Sequence, residues 1–391
     1  MFFLFAFGVW ASASCYTAWR LMAPMALSAM GKFTAALAVL AFIFLPFLYW
    51  RVYRRHESSP GSKTMSWLTF LGMGALNYLC LLFLLRDAVW LAATGAAKII
   101  SVAYGETGAA GAVHAAEMDW WRTTNYVVLG MTGLILAYGV YQARRRPRVV
   151  TVRVPVAGLP QALAGLRILH ISDLHAGPTI RRDFIKGVVQ AANRAQADLV
   201  AFSGDVADGS VAHLRPEVAP LQELSARYGK FFVTGNHEYY SGVEPWIAEM
   251  RRLGFTVLLN QNQVVPVNGQ RVLVAGVTDF GAGGILPHHH SDPDRALAGA
   301  EDVALNILLA HQPLSVVVAA QHGCQLQLSG HTHGGQFLPW QWLVPLQQPY
   351  LAGLFKHQDT WLYVNRGAGY WGPPLRIGAP SEIAIIELAR E

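Results

Sequence analysis

The chain has 391 residues, too many for one ordinary domain and suited to two or three. It is 53% hydrophobic and only 14% charged, against roughly 25% charged in soluble proteins, so a wholly soluble chain is disfavoured. The net charge of +6 is uneven, with 13 Lys and Arg against 5 Asp and Glu in residues 1–150 and 17 against 19 in 151–391; a nucleic-acid binder would carry its basic patch on the folded half, so no nucleic acid is expected as a partner.

In chain order, four apolar runs approach the roughly 20 residues that cross a bilayer: 2–19, 33–50, 67–85 and 125–141. Trp19, Tyr49, Trp50, Trp67 and Tyr141 stand at their ends, as interfacial aromatics do. The first run lacks a basic n-region and Arg20 follows it directly, which favours a spanning helix over a signal peptide. The runs hold no charged residue, and Arg86 and Asp87 fall at the end of the third. Arg51, Arg54, Arg55 and Lys63 follow run two, and Arg144, Arg145, Arg146 and Arg148 follow run four. The positive-inside rule then expects both termini in the cytoplasm and a multi-pass protein of the plasma (inner) membrane. Residues 88–118, rich in Ala and Gly, are expected as an outside loop or an interfacial segment. Cys15, Cys80 and Cys324 have no paired spacing and are expected as free, buried thiols. These boundaries give a helical membrane domain over 1–143, a basic linker over 144–150 and a second domain over 151–391.

From Val149 the texture changes to short β-rich runs alternating with helical ones. Strands are expected at 166–172, 197–204, 230–235, 256–260, 271–277, 306–313, 325–331, 362–369 and 383–388, with helices at 181–196, 214–228 and 245–254. This alternation predicts an α/β domain, whose ligands gather at strand carboxyl ends. Five such ends carry Asp, Asn or His: Asp173 and His175; Asp205, with Asp208 three on; Asn236 and His237; His311; His331 and His333. Oxygen and imidazole donors without cysteine suit Mn, Fe, Zn or Co. Seven candidate ligands are too many for one ion and suit two divalent ions sharing a carboxylate. Two such ions against two carboxylates leave the site at about +2, ready for a phosphate. If the segment is extended, His331 and His333 project the same way and reach the same centre.

The ordered motifs SDLH, SGD, GNHE, AHQP and GHTHGG, spanning residues 172–335, resemble those of the calcineurin-like metallophosphoesterase superfamily. The resemblance implies a two-sheet β-sandwich flanked by helices. It gives one metal to Asp173, His175 and His333, the other to Asn236, His311 and His331, and makes Asp205 the bridge. His237 would stabilise the phosphate or protonate the leaving oxygen, Asp208 would orient His237, and the nucleophile would be a metal-bridging hydroxide. Manganese is the first expectation for the metals. The ending VNRGAGYWGPPLRIGAPSEI (364–383) is similar to a membrane-associated branch that includes UDP-2,3-diacylglucosamine pyrophosphatase-like enzymes. A lipid-linked phosphodiester or pyrophosphate is therefore the expected substrate. Two alternatives stand beside it: the same chemistry on a soluble phosphodiester or phosphoprotein, and a regulatory domain of a membrane transport or sensing module. Charge-free spans count against the last.

Other residues read more plainly. His170 is expected as a core histidine and PHHHSD (287–292) as a solvated loop. Glu238 is expected to cap a helix or support the site. FLPWQWLVPL (337–346) either packs on the fold or forms an apolar lip, with GYWGPP (369–374) beside it.

Overall fold

The computed structural model describes residues 2–25, 27–55, 60–104, 110–299 and 302–391. Residues 56–59 of the basic loop and 105–109 of the Ala- and Gly-rich stretch lie outside them. The chain divides into two compact units, Met1–Tyr138 and Gly139–Glu391.

The first unit is helical, with α1 (Phe2–Met22), α2 (Ala29–Arg55), α3 (Pro60–Tyr104) and most of α4 (Ala110–Arg144). A helix satisfies every backbone group within itself, which is what lipid demands. Each apolar run falls in one helix. Among the described residues three helices are long and apolar enough to cross a membrane: Ala29–Tyr49, Gly61–Ile99 and Glu117–Arg144. The stretch 88–118 extends α3 and α4, so the described part of it is helical rather than a loop.

α3 also changes the place of Arg86 and Asp87. They lie inside the apolar stretch Gly61–Ile99, not at its end, so the argument from charge-free spans falls. Asp87 accepts from Tyr16 Oη at 2.6 Å and from Arg20 Nε at 2.6 Å through Oδ2, and from Arg86 Nη2 at 3.1 Å through Oδ1. Arg86 Nη1 donates to Asn125 Oδ1 at 2.6 Å, and Asn125 Nδ2 donates to the Arg20 and Leu21 carbonyls at 3.2 Å. This knot ties α1, α3 and α4 near the last turn of α1. Trp90, Trp120 and Trp121 cluster there with ring centroids 4.6–5.1 Å apart.

The second unit has twelve strands: β1 (Arg148–Val156), β2 (Arg167–Ile171), β3 (Leu199–Phe202), β4 (Lys230–Phe232), β5 (Thr256–Val257), β6 (Gln261–Val267), β7 (Gln270–Gly276), β8 (Leu305–Leu309), β9 (Leu326–Ser329), β10 (Gly353–His357), β11 (Thr360–Val364) and β12 (Glu382–Arg390). They form two mixed six-stranded sheets, in the orders β1-β12-β2-β3-β4-β5 and β10-β11-β9-β8-β7-β6. Alternate residues separate the layers. Ile168, Leu199, Ala201 and Phe231 of the first sheet meet Val272, Val274, Ile307 and Leu328 of the second in one buried core. Leu169, Ile171, Val200 and Phe202 face the other way, onto α5 (Arg182–Arg194), α6 (Val211–Val218) and the pair α7 (Asn236–Ser241) and α8 (Val243–Arg252). Leu273, Ala275 and Leu308 pack outward with Ala296 of α9 (Pro293–Ala296) and Ala319 of α10 (Val316–Gln321). The result is the expected sandwich flanked by helices.

Several expectations need correction. The segment 144–150 is not a free linker, because α4 ends at Arg144 and β1 begins at Arg148, pairing in parallel with β12. The helix expected over 214–228 is α6 followed by a 3-10 turn at Ala219–Glu223, with Pro220 in its first turn. A proline there has no N–H to continue an α-helix. The three cysteines are free, but only Cys324 is buried; Cys15 is exposed and Cys80 lies between.

Candidate metal centre

Strands β2, β3 and β4 run parallel, as do β8 and β9, so the carboxyl ends within each set point one way. The chain leaves these strands sharply. Asp173, His175, Asp205, His331 and His333 all have positive φ, at 51°, 52°, 56°, 71° and 53°. A left-handed side-chain residue costs about 1 kcal/mol, and such strain gathers where function holds it. The same fact corrects the argument from an extended segment. Thr332 has φ −78° and ψ −19°, so His331 and His333 converge through a turn that alternates left- and right-handed residues. Two glycines have no substitute here. A Cβ at Gly330 would strike Ser172 Oγ and Asp173 Oδ2, and one at Gly235 would strike Asp205 Oδ1.

The seven expected ligands come together in two groups. In the first, Asp173 Oδ1 lies 3.6 Å from His333 Nε2 and 4.0 Å from His175 Nε2, and the two Nε2 atoms are 3.0 Å apart. In the second, Asn236 Oδ1 lies 3.2 Å from His311 Nε2 and 3.0 Å from His331 Nδ1, and these nitrogens are 3.3 Å apart. Asp205 Oδ2 faces both groups, 3.1 Å from His311 Nε2 and 3.8 Å from His175 Nε2.

Donors about 2.1 Å from one ion stand about 3.0 Å apart at right angles and about 3.4 Å apart in a tetrahedron. The second group matches that spacing throughout, and the first brackets it. The chemistry agrees. His311 Nδ1–H donates to the Ser203 carbonyl at 2.7 Å, so its Nε2 turns a lone pair toward Asp205 and Asn236 oxygens. Acceptors facing acceptors call for a cation. With only protons at hand, burial opposes charge on His311, but Asp205 outweighs it and holds the His311 pKa well above its ordinary value. The residues fit two divalent ions.

Supporting groups surround the ligands. Asp208 Oδ1 lies 3.0 Å from His175 Nδ1 and 2.5 Å from His237 Nδ1, so one carboxylate orients both rings. The His237 ring is 4.7 Å from that of His175, and its Nε2 is 4.0 Å from Asp205 Oδ2. Burial works against a charged His237, but the Asp205 and Asp208 carboxylates prevail and raise its pKa to about 9. Glu238 is fully buried and accepts from the backbone N–H groups of Asp205, Val206 and Gly235, fastening two strand-end loops together.

Two buried groups were missed from the sequence. Asp279, just past β7, accepts from Gln312 Nε2 at 2.9 Å beside the second ligand group. It is a sixth polar strand end, and its Thr-Asp signal passed unread. Arg376 donates to the His333 carbonyl at 2.8 Å and stands 3.1 Å from His333 Nδ1; it lies in the closing segment 364–383, whose pattern did not single it out.

The plainer expectations also resolve. His170 is buried and bonded to Ser203 Oγ at 2.8 Å. PHHHSD is not simply solvated, because His289 is buried. In the segment 337–346 Phe337 is buried, while α11 (Trp340–Leu343) and the 3-10 turn Val344–Leu346 after it have no buried residue. Trp342 is 65% exposed and Leu346 84%.

Residues 166–335 match the calcineurin-like phosphoesterase family. The chain is 36% identical over 331 residues to a transmembrane protein with metallophosphoesterase domain from Danio rerio, covering 82% of this chain and 74% of that one. It is 38% identical over 269 residues to an uncharacterized metallophosphoesterase of Helicobacter pylori, covering 68% and 70%. A dimetal phosphatase structure from Danio rerio superposes loosely, with a TM-score of 0.38 and 12% identity over 58% of this chain and 93% of that one. The chain belongs to the calcineurin-like metallophosphoesterase family and is a phosphoester hydrolase with helices suited to a membrane.

Proposed function

We propose that the protein is a membrane-tethered dinuclear phosphoesterase that cleaves a phosphodiester or pyrophosphate bond in a lipid-linked substrate. Asp173, His175 and His333 would hold one divalent ion, Asn236, His311 and His331 the other, and Asp205 both. Manganese is the first candidate, with Fe, Zn and Co suited to the same donors. Such ions supply Lewis-acid stabilisation of the phosphoryl oxygens and activate water. His237, held at Nδ1 by Asp208, would present Nε2 to the leaving oxygen. Asp208 also keeps His175 in the tautomer whose Nε2 is free to ligate.

The observation that carries the lipid part is the exposed apolar lip. Trp340, Trp342, Leu343 and Leu346 follow the metal histidines directly and are 46–84% exposed. Trp371, 55% exposed, stands with its ring centroid 5.9 Å from that of His237. Gln336 joins the two parts, donating to the Trp371 carbonyl at 2.9 Å and accepting from its N–H at 2.9 Å. Apolar surface held open beside a phosphate site suits an acyl chain. A tether also raises the effective concentration of a membrane-borne substrate. We place the catalytic unit on the cytoplasmic side of the plasma (inner) membrane from the distribution of Lys and Arg.

The test is product release in detergent micelles with Mn²⁺, comparing UDP-2,3-diacylglucosamine, a phospholipid and bis-p-nitrophenyl phosphate. A lipid is expected to be preferred, and Trp342→Ser is expected to lower kcat/KM for the lipid alone. Better hydrolysis of the soluble diester than of every lipid would move the reading to a soluble substrate.

A further inference from the structure

We propose a third metal site, separate from the dinuclear centre, built from Glu244, His288 and His289 for an exchangeable divalent transition ion of the zinc type. One donor atom from each of the three lies within 4.8 Å of the others. The His289 ring is fixed from behind: its Nδ1 is 3.0 Å from Tyr239 Oη, which leaves Nε2 facing Glu244 Oε1 at 3.4 Å. That separation is long for an N–H···O bond. It equals the spacing of about 3.4 Å for two donors on one tetrahedral ion. The His288 ring packs at 4.7 Å from that of His289, nearly perpendicular at 77°. His290 turns away, its Nδ1 lying over Gly283. Two of the three consecutive histidines therefore face one point and the third does not.

The scaffold is set before any ion arrives. The His289 carbonyl accepts from Thr278 Oγ1 at 2.8 Å, and the His290 carbonyl accepts from Asn260 Nδ2 at 2.8 Å. Asn260 Oδ1 accepts from the Asp292 N–H at 3.0 Å. Glu244 comes from the first turn of α8, so an ion would clamp the 287–292 segment to that helix. Two imidazoles and a carboxylate with an open fourth position suit zinc. The exposure of Glu244 and His288 leaves the ion free to exchange. Tyr239 lies in α7, two residues past His237, and its Oη is also 3.3 Å from Thr234 Oγ1. An ion here would therefore fix the 287–292 segment against α7 as well as α8.

The full-length protein in detergent would be dialysed against Zn²⁺ and its metal counted per chain by mass spectrometry. Wild type is expected to hold three ions, and His288→Asn and Glu244→Gln two each. Both variants should hydrolyse bis-p-nitrophenyl phosphate as wild type does when the dinuclear centre is full. The thermal midpoint of wild type should rise further with the third equivalent, and that of the variants should not. Equal metal counts in wild type and both variants, or a third-equivalent shift that survives in both, would overturn the site.

Discussion

Both units bury charge, and they do so in opposite ways. In the helical unit Asp87 gathers Tyr16, Arg20 and Arg86, and Arg86 passes its remaining reach to Asn125. Donors meet acceptors throughout, and the excess positive charge rests on aromatic faces. The Arg20 guanidinium stands 4.1 Å from the Trp19 ring, and that of Arg86 stands 4.6 Å from those of Phe83 and Trp121. In the phosphoesterase unit the pattern is reversed. Asp205, Asn236 and His311 turn lone pairs toward one another at 3.1–3.2 Å, and His331 Nδ1 stands 3.0 Å from Asn236 Oδ1 and 3.3 Å from His311 Nε2. A cluster that cancels within itself holds helices together. One that leaves acceptors facing acceptors is built to receive cations.

The contrast breaks first at Asp205. Asp205→Ala removes the one carboxylate shared by both ligand groups, so kcat should fall by about 10³-fold with the fold retained. Chelation should abolish hydrolysis and lower the thermal midpoint, and added Mn²⁺ should restore both. Full activity after exhaustive chelation would remove the metal reading. Asp87→Ala is the mirror experiment. It strands two guanidiniums in an apolar bundle and should cost about 3 kcal/mol of stability, read by thermal unfolding in detergent. Hydrolysis per folded molecule should not change. Asp208→Asn ranks below these. It keeps the shape but weakens the hold on His175 and His237, so kcat should fall about tenfold and metal affinity should weaken with it. A fall in kcat at unchanged metal affinity would assign Asp208 to His237 alone.

The same contrast explains what was legible in the sequence. The candidate ligands were legible because each follows a short apolar strand and sits in a fixed motif, so Asp173, Asp205, Asn236, His311 and His331 could be proposed one strand at a time. Their geometry was not, because the left-handed turns at His331 and His333 follow from contact with Asp173 and Ser172, far away in the chain. β1 went unseen for a related reason: its alternating RVVTVRVPV was masked by the arginines before it, and its pairing partner β12 lies more than 200 residues on. Arg376 and Asp279 act on the site only through tertiary contact. Arg86 and Asp87 looked terminal because an apolar run was counted by composition, whereas the helix continues through them.

The finest test of the comparison is Tyr16→Phe. Its hydroxyl is one of several donors on Asp87, and Arg20 reaches the same Oδ2 while Arg86 holds Oδ1. A redundant knot should lose about 1 kcal/mol, one net hydrogen bond, because the remaining guanidiniums still neutralise the carboxylate. The thermal midpoint of Tyr16→Phe should therefore fall well short of the drop seen in Asp87→Ala. The acceptor cluster is expected to have no such reserve, since on the proposed reading each of its residues would complete a coordination sphere. If Tyr16→Phe instead matched Asp87→Ala, the helical knot would depend on each member as strictly as the metal centre does, and the division between a self-cancelling cluster and a cation-receiving one would fail.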